Sequence, residues 1–138
     1  MDVKQVIENF KTIVTRHYAD FNGRASRAVF WQFVLVYVVA YVVLGILWKV
    51  LAALLSLALF LPSLGVSIRR LHDIGKSGWW ILLPLGPWIV MGIFMFVFWP
   101  IAVIAGLAGL ICSAYLIYLY VQPGAAEPNQ FGPQTATA

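Results

Sequence analysis

Negative charge is scarce in this sequence. Five acidic residues stand among 138, and between Asp20 and Glu127 the only carboxylate is Asp73. Cysteine and histidine are rarer still. One cysteine, Cys112, excludes an internal disulfide, and inside an apolar run it reads as a small buried hydrophobe rather than a reactive thiol. Two histidines cannot supply a zinc site of normal ligand count. No metal site and no cofactor are expected. A cleavable signal peptide is also not expected: the first apolar run begins only after Arg27, is longer than a signal core, and has no small-residue cleavage site behind it.

Apolar residues are abundant. They make up 62% of the chain and charged residues 10%, against about 45–50% and about 25% in soluble domains. A single domain of this length cannot hide that much apolar surface from water, and the lipid bilayer is the medium that takes it up. The net charge of +4 could suggest nucleic acid. The cations flank apolar spans instead of lining one polar face, so anionic lipid headgroups are the expected counter-charge and nucleic acid is not.

Along the chain the pattern predicts an all-α integral membrane four-helix bundle with an N-terminal amphipathic interfacial helix, residues 1–138 forming one membrane domain. Over residues 2–18, Val3, Val6, Ile7, Phe10, Ile13, Val14 and Tyr18 share one helical face. Such a helix can lie in the headgroup region or pack on the protein's own helices. Asp2 and Gln5 have capping-box spacing. Residues 20–27 form a polar joint in which Ser26 or Asn22 can cap the next helix. Four apolar runs come next, over residues 28–48, 50–68, 79–99 and 101–121. The first contains 21 uncharged residues, which at about 1.5 Å each covers the hydrocarbon thickness of about 30 Å. A tight hairpin at Trp48–Lys49 separates it from the second. Pro62 should kink the second run, which is tolerated in a membrane when a neighbour satisfies the freed carbonyl. Pro84, Gly86 and Pro87 leave the third run either kinked or broken. Residues 122–138 read as an irregular cytoplasmic tail.

Orientation follows from the Lys and Arg content of the short connections. Eight of the nine cations lie before residue 28 or between 69 and 76, and Lys49 alone lies at the opposite side. Both termini and the central loop are therefore expected in the cytoplasm of a multi-pass inner-membrane protein. Trp31, Trp79, Trp80, Tyr118 and Tyr120 then fall at the inner boundary, with Trp48 and Trp99 at the outer one, matching the aromatic belts of membrane proteins. In the fourth run Ala102, Gly106, Gly109 and Ser113 form a stripe of small residues, read as a packing face against another helix of the same chain, with a dimer seam as the alternative.

Three segments stand out from the apolar background: Phe21-Asn22-Gly23-Arg24-Ala25-Ser26-Arg27 continuing to Phe30-Trp31; Arg69-Arg70-Leu71-His72-Asp73-Ile74-Gly75-Lys76-Ser77-Gly78-Trp79-Trp80; and Pro123-Gly124 followed by Asn129-Gln130-Phe131-Gly132. In this order, over about residues 18 to 133, they resemble a small bacterial inner-membrane family known as domain of unknown function 805. The resemblance implies a topology and a location and brings no activity with it.

The residues have a physical reading of their own. Arg24, Arg27, Arg69, Arg70, His72 and Asp73 form a candidate cytoplasmic-face cluster. Four guanidiniums around one acid can anchor helix ends to lipid phosphates, or build an internal network in which Asp73 pairs with Arg24 or Arg27. No catalytic residue is indicated. His72 and Asp73 are adjacent on one backbone, no placed nucleophile accompanies them, and His72 reads as an interfacial hydrogen-bonding residue. Gly75-Lys76-Ser77 fails as a phosphate-binding loop because Arg70 stands where that motif requires glycine. No Asp, Glu, Lys, Arg or His lies inside residues 28–48 or 79–121, which disfavours a proton- or ion-coupled transporter. The expectation is a non-enzymatic interaction, scaffold or envelope-maintenance module whose partners are the bilayer, its anionic headgroups and a membrane protein or second copy. The alternative is a small carrier or subunit that binds an anionic lipid or solute through the arginine cluster.

Overall fold

Ser26 starts the first long apolar helix. Its hydroxyl accepts the Val29 N–H at 3.3 Å, satisfying one of the free donors of a helix N-terminus, and the helix runs unbroken over Arg27–Leu47 (α2). The computed structural model describes residues 2–133 and 135. Before α2 comes an amphipathic helix, Val3–Thr15 (α1); after it come Lys49–Ala58 (α3), Phe60–Asp73 (α4), a 3-10 helix at Gly78–Leu82, Leu85–Phe94 (α5) and Trp99–Val121 (α6). Gln134 and residues 136–138 of the predicted tail lie outside the described residues.

The protein is an all-α membrane protein. With 21 and 23 residues, α2 and α6 each extend beyond 30 Å at about 1.5 Å per residue. Only 11% and 17% of their apolar windows are buried; Leu35, Val38 and Val42 on α2, and Ile104, Leu107 and Ile111 on α6, lie bare. A surface like that belongs in lipid. By length the helices supply two full spans, and a third if α3 and α4 count as one bent span. The apolar stretch over Gly78–Phe94 is shorter.

Prolines decide where the second and third runs break. Pro62 bends the second run as expected: the helix is interrupted at Leu59, and α3 and α4 meet at 50°. Pro62 is the third residue of α4, where its missing N–H costs no helical bond. The carbonyl it would have served is Ala58 O, and Tyr18 donates its hydroxyl there at 2.5 Å. The third run is not one regular α-helix: the 3-10 turn at Gly78–Leu82 passes through Leu83 and Pro84, both in helical conformation, into α5, with Pro87 in its first turn. At the far end, Trp48 alone separates α2 from α3, in an extended conformation (φ −166°, ψ 124°). The hairpin is held where Tyr37 donates to Ser56 Oγ at 3.2 Å.

The small-residue stripe on α6 faces α5, as read. A Cβ on Gly109 would stand 3.0 to 3.3 Å from three atoms of the Trp88 indole, and one on Gly106 would meet Met91 Sδ at 3.0 Å. Ser113 accepts the Trp88 Nε1–H at 3.2 Å. The two glycines differ in what opposes them: a fused ring wedged against a helix cannot swing aside, and a thioether can. Alanine in a helix ordinarily gains about 0.5–1 kcal/mol over glycine. Gly106→Ala should therefore be neutral or stabilising, while Gly109→Ala should lose about 1 kcal/mol through overpacking, read as unfolding midpoints in mixed detergent micelles.

The N-terminal helix divides its apolar face. Val6 and Ile13 are buried, and Phe10 stacks on Phe33 of α2 with ring centroids 5.4 Å apart. Val3 and Ile7 stay exposed. Asp2 caps α1 by accepting the Lys4 N–H at 3.0 Å, but Gln5 turns away to Asn9 instead of completing the capping box. α1 is thus docked on the protein's own core, which gathers Ile13, Ala25, Phe30, Phe33, Val66, Leu71, Leu119 and Tyr120.

Candidate functional site

The polar joint between α1 and α2 lies along α4. Ala25 N–H donates to Arg69 O at 2.9 Å, and a Cβ at Gly65 would stand 2.8 Å from Asp20 O, so only glycine lets the two backbones approach here. In the joint, Asp20 accepts the Asn22 N–H at 3.0 Å and a His17 Nδ1–H at 2.8 Å. Burial opposes ionisation of Asp20, yet those two bonds and the nearby Arg69 charge outweigh it and hold the carboxyl below its ordinary value. Its stabilising effect is in place above the unfolded carboxylate value of about 3.9 and is lost as pH falls below it.

Asp73, at the end of α4, is the centre of the site. Its side chain is 1% exposed. Oδ1 accepts Arg24 Nε at 3.0 Å and the Thr135 hydroxyl at 2.8 Å, and Oδ2 accepts Arg70 Nη1 at 2.6 Å. Arg70 lies one helical turn before Asp73 and reaches it along the helix surface; Arg24 comes from the joint. The predicted network therefore exists, with Arg24 in it and Arg70 in the place considered for Arg27. Arg27 sits at the exposed rim and donates to Val121 O at 3.3 Å.

Both buried guanidiniums then continue into the tail. Arg24 spends all its donors: beyond Asp73 Oδ1 they reach Asp73 O at 3.2 Å, Ala125 O at 2.7 Å, Glu127 O at 3.1 Å and Gly132 O at 3.4 Å. Arg70 donates to Tyr120 O at 3.1 Å and to Gln122 O. Ala125 N–H returns to Asp73 O at 2.7 Å. The segment after α6 is irregular in backbone form, as expected, but it is strapped across the arginines by its carbonyls.

His72 fixes the outer end of that strap. Its Nδ1–H donates to Gly23 O at 2.9 Å, as it must, since a carbonyl only accepts. The Phe131 ring stacks on the imidazole with centroids 3.9 Å apart and planes within 2°. Asn129 ties the turn down by donating from Nδ2 to His72 O at 2.9 Å. The three sequence motifs thus meet at one end of the helices as a single assembly.

The predicted cluster is brought together, but not as a charged surface. Arg69, Arg70, His72 and Asp73 are all buried, as is the Arg24 side chain, and only Arg27 remains outside. Among the described residues Arg69 pairs neither with Asp73 nor with the strap. Sequence reasoning missed the strap itself: the carbonyls that receive the guanidiniums carry no side-chain signature, and Gly124, Phe131 and Thr135 were not singled out as partners of His72 and Asp73. Phe131 and Gly132 were in the third motif, which was the available signal. Among the described residues no group of three or more His, Cys, Asp or Glu could hold a metal.

These features define a class: a small helical membrane protein whose polar junctions are knotted together at one end by buried arginine–aspartate pairs. The chain belongs to the family described as "Protein of unknown function (DUF805)", which matches residues 18–133 and so covers all three motifs. It is similar to Inner membrane protein YhaH of Escherichia coli (strain K12), 37% identical over 95 residues covering 59% of this chain and 78% of the relative. Inner membrane protein YhaI of the same strain is 38% identical over 91 residues, covering 59% and 77%, and Uncharacterized protein YiiR is 29% identical over 124 residues, covering 83% and 85%. No solved structure matches. With the bare apolar faces of α2 and α6, these relatives place the chain in the inner membrane.

Proposed function

We propose that the chain is a non-enzymatic inner-membrane interaction module. On this reading the arginine-bearing junctions and the tail lie on the cytoplasmic side, and the strap presents a fixed surface to a membrane-protein partner or a second copy. The observation that carries it is the use of the polar groups. Asp73, Arg24, Arg70 and His72, the side chains with the most obvious chemical capacity, are buried and committed to holding the tail. An enzyme keeps such groups available to a substrate; a scaffold uses them to fix a shape.

Two experiments bear on it. With Cys112 replaced, a cysteine at position 49 should react with an impermeant maleimide from outside intact cells, and one at position 76 only after lysis. Labelling of both from the same side would remove the topology. Cross-linking in native membranes should recover one partner at fixed stoichiometry, and Phe131→Ala should lose it while the chain stays in the membrane. The substitution removes an aromatic stack worth about 0.5–1.5 kcal/mol, enough to loosen the strap without unfolding the helices. Equal recovery from both forms, or no partner from either, would count against the module.

A second reading, handling of an anionic lipid or solute, is favoured by one specific observation: the Arg69 guanidinium has no part in the strap.

A further inference from the structure

Arg69 is 6% exposed, and among the described residues its Nε and Nη2 have no hydrogen-bond partner. Buried charged donors are rarely left empty, because desolvation without a partner is costly. The two unpaired nitrogens are not an arbitrary pair. Nε and Nη2 lie on the same edge of the guanidinium plane and form the fork that grips two oxygens of a carboxylate or phosphate in parallel.

Arg69 also lines a cleft of about 300 Å³ between α1, the joint and α4, together with Asn9, Thr12, His17, Ser26 and Thr135. Every charged group around it can be accounted for. Arg24 forms part of the wall but has spent its donors on Asp73 and the tail. His17 is bonded to Asp20 at 2.8 Å. Asp20 lies close enough to feel the Arg69 charge, but Arg69 forms no ion pair within 4.0 Å among the described residues, whereas Arg24 and Arg70 both do. One buried guanidinium without a partner is left in the wall of a polar space, with hydroxyl and amide side chains around it.

We propose that this cleft binds a phosphate group, its oxygens held by the Arg69 guanidinium, with Thr12 contributing at the wall. The inference rests on the anion-handling reading and locates it at Arg69 instead of across the whole arginine cluster. The same chemistry is offered by the headgroup of an anionic phospholipid and by a soluble phosphate ester.

The test uses the full chain in phosphatidylcholine nanodiscs with two probes. Glycerol phosphate is titrated while the thermal midpoint is followed; phosphatidylglycerol is added to the lipid and its retention read by native mass spectrometry. Wild type should bind in one arm, which identifies the source, and Arg69→Gln should weaken that binding at least tenfold. Thr12→Leu, which fills the cleft without removing a charge, should do the same and carries the test if Arg69→Gln does not fold. Lys11→Gln, on the exposed side of α1, should bind as wild type does. If wild type binds an anion and both cleft variants still hold it, the site is overturned while anion handling survives. If wild type binds neither probe, both fall.

Discussion

Asp73→Asn should cost about 3–5 kcal/mol, the range for breaking one side of a buried ion pair, and should be the most damaging polar substitution in the chain. Asparagine fits the space but removes the only negative charge between two buried guanidiniums, whose partners are Oδ1 and Oδ2 at 3.0 and 2.6 Å. Its amide also sets a donor against a donor at one of those two positions. Unfolding in mixed micelles, followed by tryptophan emission and by protease access to the tail, reads the loss. Arg27→Gln, at the exposed rim of the same cluster, should stay within about 0.5 kcal/mol. A loss below about 1 kcal/mol for Asp73→Asn would mean that the pairs do not hold this end together.

The usual escape from a buried ion pair is closed here. Replacing a buried charged group wholesale with well-packed apolar residues is often neutral or stabilising, because the charges serve mainly each other. In this protein Arg24 and Arg70 also donate to the carbonyls of Tyr120, Gln122, Ala125, Glu127 and Gly132. Those carbonyls would lose their partners in an apolar variant, and buried ones would bear the desolvation cost of unmet acceptors. The arginines are retained for the strap as much as for Asp73.

How much of this could be read from the sequence depends on whether a feature is periodic. The spans around α2 and α6 are long uncharged runs, and Trp48 and Lys49 mark the hairpin at the end of α2, so length and charge were enough. Pro62 announced a disturbance, but its form followed from the neighbour Tyr18, far away in sequence, which takes the orphaned Ala58 carbonyl. Asp73 was legible as a hub because it is the only acid in a long stretch; its second arginine, Arg70, is one turn away on the same helix. Burial of the cluster was not legible. A tail rich in proline, glycine and alanine carries no periodic signal, and its grip on the arginines runs through backbone carbonyls that every residue possesses. The meeting of joint, α4 and tail is a tertiary fact.

Gly124 shows why that tail needs its composition. A Cβ at this position would overlap Asp73 Oδ2 and stand 2.8 Å from Cγ and 3.1 Å from Oδ1. The carboxylate cannot retreat, because Arg24, Arg70 and Thr135 hold it from three sides. Gly124→Ala should therefore reach or pass the upper end of the overpacking range, about 3 kcal/mol, and should lift the strap, exposing the segment from 123 to 133 to protease while α2 and α6 stay helical. Gly132 supplies the control. Its φ is +136°, a conformation that side chains adopt poorly, but no atom of the described residues lies within 4 Å of its would-be Cβ. Gly132→Ala should show backbone strain alone, about 1–3 kcal/mol, and removing the Asp73 carboxylate as well should leave that cost unchanged. For Gly124→Ala the same second substitution should recover part of the loss, because the atom it collides with is gone. A double-mutant cycle for each glycine with Asp73→Ala separates the two cases. Additive energies at Gly124 would show that the tail does not close on the carboxylate.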